Sequence, residues 1–540
     1  MKLYLVAAGG SGAKVAEALV HLCAAGLGPE SLHILSVDTD DDNGNLARLV
    51  ATESAYQGCR KFKWARGGTR SEGTPLPFGT AIKFHKLSAT LDVSAHGLQN
   101  PQICPAEHKD VLDLFFSEDE QKTRCSEGFL ARPNLGSLIL GRHITHELGN
   151  NDHGGADFLA DLADDLEIDS RLMVVGSVFG GTGASVLPVA PDSILHALVK
   201  NKNAGAQTAI HQAWAALPKG AVMLLPYFKP TGAPDGEGET VDPSRFLADT
   251  KNALLYYDAS RTSRKYSTVH VIGTENPDRQ RLKFCAGSRG QCNAPSVEEL
   301  VAALACLETD TSNGPIRICN PVPNADYLRM EDFPWPGGKN DAITLSLFLH
   351  AACFTVRRGE TPMDRGILQF LKEHTASGEL PFWPWAAELL TDGNDALQSI
   401  DPTLTGRELA HYFLRLLLWA KGISGSRADL DMIRLKKSAD ALEYWQALCA
   451  AKKNPTVPDT MEDRVPLAVT MACACTSGIR TLRDPGRYRG LRLLKSSQNP
   501  EDDWIKNGTG PETCILPFCE ESFSKAENAA ALSLSLEYGN

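Results

Sequence analysis

Two short glycine runs carry the residue types and spacing from which chemistry can be built. The first, Gly9-Gly10-Ser11-Gly12, follows the apolar run Lys2 to Ala8 and precedes apolar residues at helical spacing from Ala13 to Ala25. The second, Gly180-Gly181-Thr182-Gly183-Ala184-Ser185, follows the run Arg171 to Phe179 and precedes an apolar helical stretch, Val186 to Val199. Glycine between a buried strand and a helix lets backbone approach an anion closely, and the helix start adds free N–H groups and partial positive charge. Each run is a candidate phosphate cradle, although one alone reads equally as a tight strand-to-helix turn. Between them, Leu32 to Val37 reads as a strand that stops at Asp38-Thr39-Asp40, acidic residues placed where a parallel strand would end.

Other chemistries fit less well. The Walker pattern is absent, because Lys14 follows Gly12-Ala13 and precedes Val15. The dinucleotide pattern Gly-x-Gly-x-x-Gly is approached by Gly10-Ser11-Gly12 with Val15 at the third glycine, so an NAD-binding Rossmann-type enzyme, with Asp38 on the ribose, stays open as an alternative. Ser177 lacks the flanking glycines of a nucleophile elbow, since Val175 and Phe179 stand there. His143 and His146 have no third ligand nearby and read as a local surface pair. Cys473-x-Cys475 and Cys514-x4-Cys519 lack a second ligand pair at zinc spacing, and the cysteines read as buried free thiols.

The elements that must position these residues follow from periodicity. After the second glycine run come a strand over Gly220–Phe228, a Gly/Pro/Asp-rich loop at 230–243, a helix over Phe246–Tyr257, a strand over Ser267–Ile272 and a helix over Val297–Leu307. Such alternation predicts an α/β fold, a parallel Rossmann-like sheet with helices on both faces. Residues 51–110 are rich in Gly and Pro, receive no regular structure and read as an insertion. Past about residue 340, Ala342–Thr355, Leu368–His374, Gly406–Gly422 and Ala428–Ala451 read as helices. The expected division is a nucleotide-binding domain over 1–310 and a mainly helical region over 311–540. The basic cluster from Arg480 to Lys495 reads as a solvated face, and Trp335, Trp383 and Trp385 as packing.

Within this order of elements, Phe179 to Ser185 resembles the phosphate loop of the tubulin/FtsZ superfamily, Gly-Gly-Gly-Thr-Gly-Ser/Thr-Gly. Gly180, Gly181, Thr182 and Gly183 match, whereas Phe179, Ala184 and Ser185 replace the first glycine, the Ser/Thr and the last glycine. The resemblance covers about residues 1–310 and implies that Gly9, Gly10, Ser11 and Gly12 contact phosphates. Asp38-Thr39-Asp40 resembles the Asn-Thr-Asp that closes the family's second strand, which implies that Asp38 and Asp40 lie near ribose or metal-bound water. Asp249 to Tyr257 resembles the helix bearing a ribose- or base-facing Asn, here Asn252, and Val269 to Asn276 the strand after it. Gln291 to Ala305 resembles the central helix whose start reads the base, here through Asn293.

What the resemblance implies is a divergent bacterial tubulin-like protein that binds GTP with Mg²⁺ and self-associates into filaments. In polymerising members, acids after the central helix act as a GTPase on the neighbouring subunit's γ-phosphate; Glu308 and Asp310 occupy that place, without the family's Asn-x-Asp-x-x-Asp. The other outcome is a non-hydrolysing switch or scaffold whose C-terminal region engages a protein partner. Bulk properties set the frame. The 540 residues are 43% hydrophobic and 22% charged, with no apolar run near the ~20 residues a membrane helix needs. A net charge of −12 opposes general affinity for nucleic acid. Fourteen cysteines without disulfide-like spacing predict a reduced, cytoplasmic setting.

Overall fold

The computed structural model describes residues 1–40, 43–60, 77–87, 106–121, 133–149, 154–231, 246–274, 280–283, 290–308, 316–319 and 333–338, with single positions elsewhere up to 426. The chain divides into two compact units. One comprises Met1–Leu19, Pro29–Glu53 and Ala81–Ala325, the other Val20–Gly28, Ser54–Thr80 and Asp326–Asn540.

The first unit is built on strands that are apolar on both faces, as strands covered by helices on each side must be. β1 (Lys2–Ala8) runs into α1 (Gly9–Ala24), then β2 (Ser31–Val37) and α2 (Gly44–Arg60). β3 (Ala81–Lys86) leads to α3 (Lys109–Phe115), α4 (Glu118–Gln121), α5 (Pro133–Leu148) and α6 (Gly154–Asp165). β4 (Ser170–Ser177) is followed by α7 (Gly181–Val186), α8 (Ala190–Val199) and α9 (Ala204–Ala216). β5 (Lys219–Leu224), β6 (Lys229–Thr231), α10 (Phe246–Ala259), β7 (Thr268–Ile272), β8 (Arg281–Lys283), α11 (Val297–Leu307) and β9 (Ile316–Cys319) complete the order.

Seven strands form one sheet in the order β3-β2-β1-β4-β5-β7-β9, each neighbouring pair parallel, while β6 and β8 pair separately. On one face Tyr4, Val6 and Ala8 of β1, Leu172 and Val174 of β4, and Ala221 and Met223 of β5 form a buried cluster with Ile139 of α5, Phe158 of α6, Ile194 of α8 and Tyr257 of α10. The alternate residues Leu3, Leu5, Met173, Val175, Val222 and Leu224 are buried as well, and α11 packs along β5 and β7. The expected parallel α/β sheet is therefore present.

Three local expectations change. α1 begins at Gly9 instead of after Gly12, so the first glycine run forms the helix's opening turn. The helix expected over Val186–Val199 breaks into α7 and α8, because Pro188 lacks the N–H that would continue it. Residues 51–110 contain the second half of α2 and the strand β3; that strand carries Lys83, His85 and Lys86, a polar sequence suited to a sheet edge and invisible to an apolar-run criterion.

In the second unit the described side chains form an aromatic cluster. The Phe78 ring meets Tyr412 edge-on at 5.0 Å, Tyr56 lies 5.5 Å from Phe78, and His21 Nδ1 is 2.9 Å from the Tyr412 hydroxyl. The positions described between 412 and 426 are helical. The rest of the expected helices over 368–374 and 428–451, the basic cluster, Trp383, Trp385 and the Cys473 and Cys514 pairs lie outside the described residues. Among the described residues no helix is long and apolar enough to cross a membrane.

Candidate functional site

The strand order reverses between β1 and β4: from β1 the chain steps outward to β2 and β3, and from β4 it steps the other way to β5 and β7. The carboxyl ends of β1 and β4 are adjacent there, and in open parallel sheets this crevice is where ligands bind. Both glycine runs start at those two ends. Gly9 follows β1 with φ +67°, a left-handed conformation that favours glycine. A Cβ on it would lie 3.2 Å from Thr182 Cβ and 3.5 Å from Gly183 N, so the two runs are in direct contact.

Close approach of helix to sheet makes further glycines obligatory. A Cβ on Gly12 would sit 2.7 Å from the Ala7 carbonyl carbon and 3.0 Å from Val175 O, which seats α1 directly on β1 and β4. Gly183 turns back on β4, its position for a Cβ being 2.6 Å from Ser177 N. Gly180 and Gly181 are half-buried and Thr182 is buried. The replacements behind the loop are occupied inward. The Ser185 hydroxyl donates to Gly181 O at 2.6 Å, Ala184 O accepts from the Tyr257 hydroxyl at 2.7 Å, and the Phe179 ring packs among Tyr227, Phe228 and Phe246.

Asp38, at the end of β2, joins the two runs. The Thr182 hydroxyl donates to its Oδ1 at 3.3 Å, Asp40 N donates to the same oxygen at 3.3 Å, and the Asn43 amide donates to Oδ2 at 3.4 Å. Burial pushes the Asp38 carboxyl up to about 7, with the Asp40 charge adding to it and these hydrogen bonds opposing. Asp40 is buried beside it.

A second wall comes from the segment that precedes α11. Asn43 donates to Gln291 Oε1 at 2.7 Å, Asn45 Oδ1 accepts from Asn293 N at 2.9 Å, and Arg48 donates to Asn293 O at 2.6 Å while bonding Glu17. A Cβ on Gly10 would lie 3.0 Å from the Asn45 amide nitrogen, which sets these amides against the first glycine run. Beneath that run Lys14 is buried and paired with Glu299, which also accepts from the Tyr227 hydroxyl at 2.5 Å. Burial holds the Lys14 ammonium below its ordinary pKa, against the attraction of Glu299.

The structure thus brings together Gly9, Gly10, Ser11, Gly12, Asp38, Asp40, Gly180, Gly181, Thr182, Gly183 and the backbone of Asn293. Asn252 is exposed on α10, whose buried residues are Thr250, Ala253 and Tyr257. Glu308 ends α11, and its carbonyl accepts from Arg171 at the amino end of β4, so it stands at the opposite edge of the sheet from the glycine runs. Asp310 lies outside the described residues. His143 is buried, in contrast to the surface pair expected, because it falls on the inward stripe of α5 with Ile139 and Ile144. Asn43, Asn45, Arg48 and Gln291 were not singled out by sequence; the only signal was an Asn-x-Asn at the start of a helix. No protein-family model matches the chain, and neither does any curated protein or solved structure.

Proposed function

We propose that this chain binds a purine nucleotide, GTP first among them, with its phosphates on Gly9–Gly12 and Gly180–Gly183. The observation that carries this reading is the contact of Gly9 with Thr182 and Gly183 at the strand-order reversal, which makes one anion-approachable surface from two glycine runs. Asp38 supplies the acid beside it. The hard oxygens of Asp38, Asp40 and Thr182 suit Mg²⁺, which would neutralise phosphate charge when bound with the nucleotide. Asn43 and the backbone of Asn293 hold this wall in place, and the side-chain NH2 groups of Asn45 and Gln291 supply donors for a base edge. The resemblance to the tubulin/FtsZ superfamily selects GTP, and turnover on self-association, from the nucleotides this geometry fits. In that reading Glu308 serves a neighbouring copy, since it lies at the sheet edge away from its own glycine runs.

NAD is the second reading, favoured by one observation: Asp38 closes the strand next to β1, where a dinucleotide's ribose would be held. Binding and turnover measured with GTP, ATP and NAD over a range of protein concentrations separate the two. Selective GTP binding that is lost in the double variant Gly181→Ala, Thr182→Ala supports the proposal, and turnover rising steeply with concentration identifies a self-activating GTPase. Binding without turnover at any concentration makes the protein a nucleotide switch. Preference for NAD, or no binding, contradicts it.

A further inference from the structure

On the sheet face that carries Tyr4 and α6, three residues distant in sequence converge. β2 and β3 pair with His33 opposite Lys83 and Leu35 opposite His85, so period-two alternation puts His33, Lys83 and His85 on one face. α6 packs over β2 and β3 and brings Asp161 to them. One ligand atom each from His33, His85 and Asp161 lie within 4.8 Å of one another. His33 Nδ1 is 3.2 Å from Asp161 Oδ2. Two ligands on a tetrahedral ion with bonds near 2.0–2.1 Å are separated by about 3.3 Å.

We propose that His33, His85 and Asp161 form a site for a divalent transition metal of the zinc class, which clamps the edge strand β3 to α6. Two imidazoles and one carboxylate match the preference of such ions and differ from the all-oxygen sets of Mg²⁺ and Ca²⁺. The first ligand is held from behind. The His33 ring stacks on Tyr4 with centroids 4.4 Å apart and planes 22° from parallel. Tyr4 in turn donates to Asp165 at 2.6 Å, and Lys2 donates to the same carboxylate at 2.7 Å. Phe158, one turn before Asp161 on α6, meets the His85 ring edge-on at 5.9 Å. His33 is buried, whereas the Asp161 side chain is 27% exposed, which leaves an open side for a water or fourth ligand.

Lys83 makes the idea testable. Its ammonium lies 2.7 Å from the same Asp161 oxygen, where it offsets the carboxylate charge when no metal is bound. Its side chain is 53% exposed and flexible, so it can turn to solvent when a metal takes its place. A plain Asp–Lys–His surface network predicts no effect of Lys83 on metal affinity. A metal site predicts that removing this competing cation tightens binding.

The experiment uses the full chain, stripped with EDTA and titrated with Co²⁺ by visible absorption and with Zn²⁺ against a chromophoric chelator. Circular dichroism checks that each variant is folded. The expected result is one equivalent whose d–d absorption disappears in His85→Ala and Asp161→Asn, with Zn²⁺ affinity down by about tenfold or more and raised several-fold in Lys83→Met. Identical Co²⁺ spectra and stoichiometry in the parent and in His85→Ala, or no Zn²⁺ affinity above that of the folded variants, would overturn the proposal.

Discussion

At the scale of single residues, burial shifts the titration of Asp38 and Lys14, one at each glycine run. Burial raises the Asp38 carboxyl to about 7, well above the ordinary carboxylate value, so its folded-state pKa exceeds its unfolded one. The sign follows: stability from this group is fully present below the unfolded value near 4 and is lost as pH rises through about 7. Asp38→Asn should therefore leave the unfolding midpoint unchanged near pH 4 and raise stability at pH 8 by on the order of 2 kcal/mol, a figure reduced for partial exposure. Urea unfolding at both pH values checks it; equal midpoints at pH 8 would sink it. Lys14 is paired with Glu299 under the first glycine run, and truncating one partner strands the other charge. Lys14→Ala should cost about 3–5 kcal/mol, and the double variant Lys14→Met, Glu299→Gln should recover much of that loss. A double variant as unstable as the single one would show that the pair's charge is not the cause.

At the scale of elements, the glycine-run helices are held by backbone contacts that leave no room for a methyl group. Gly12→Ala places a Cβ 2.7 Å from the Ala7 backbone, which cannot turn aside as a flexible side chain would. It should destabilise by roughly 2–3 kcal/mol. Gly205→Ala, near the start of α9, meets only Asn203 Oδ1 at 3.6 Å and should be neutral or stabilising by up to ~1 kcal/mol. Thermal melts of the two variants compare them directly, and equal losses would contradict this account of helix seating. The apolar strands β1, β2, β4 and β5 and the apolar helix α11 were legible in the sequence because their runs are long and their signals local. The amide wall was not, since Asn43 and Gln291 meet across 248 residues and neither belongs to an apolar pattern. For the same reason His33, His85 and Asp161 gave no spacing motif. The edge strand β3 was hidden by its lysines.

At the scale of the molecule, the glycine runs open at the carboxyl edge of the sheet and Glu308 stands at the amino edge. One copy cannot bring the two together, so the proposed GTPase reading requires a second copy for turnover. Mixing two inactive proteins tests this: Thr182→Val, with its own Glu308 intact, and Glu308→Gln, with its glycine runs intact. Partial GTPase activity in the mixture and none in either alone is the expected result; silence in the mixture while the parent turns over GTP would remove Glu308 from the account. If the proposal holds, the net charge of −12 predicts that self-association strengthens as salt rises.

The most direct test is calorimetric titration of Mg²⁺·GTP into the full chain and into Thr182→Val, which keeps the side-chain shape at the contact with Gly9 and removes the hydroxyl that meets Asp38. A single saturable site tighter for GTP than for ATP or NAD, weakened by about tenfold or more in the variant, is the predicted result. No saturable binding of any nucleotide, or equal affinity in both proteins, would leave the two glycine runs as turns that seat helices on a sheet.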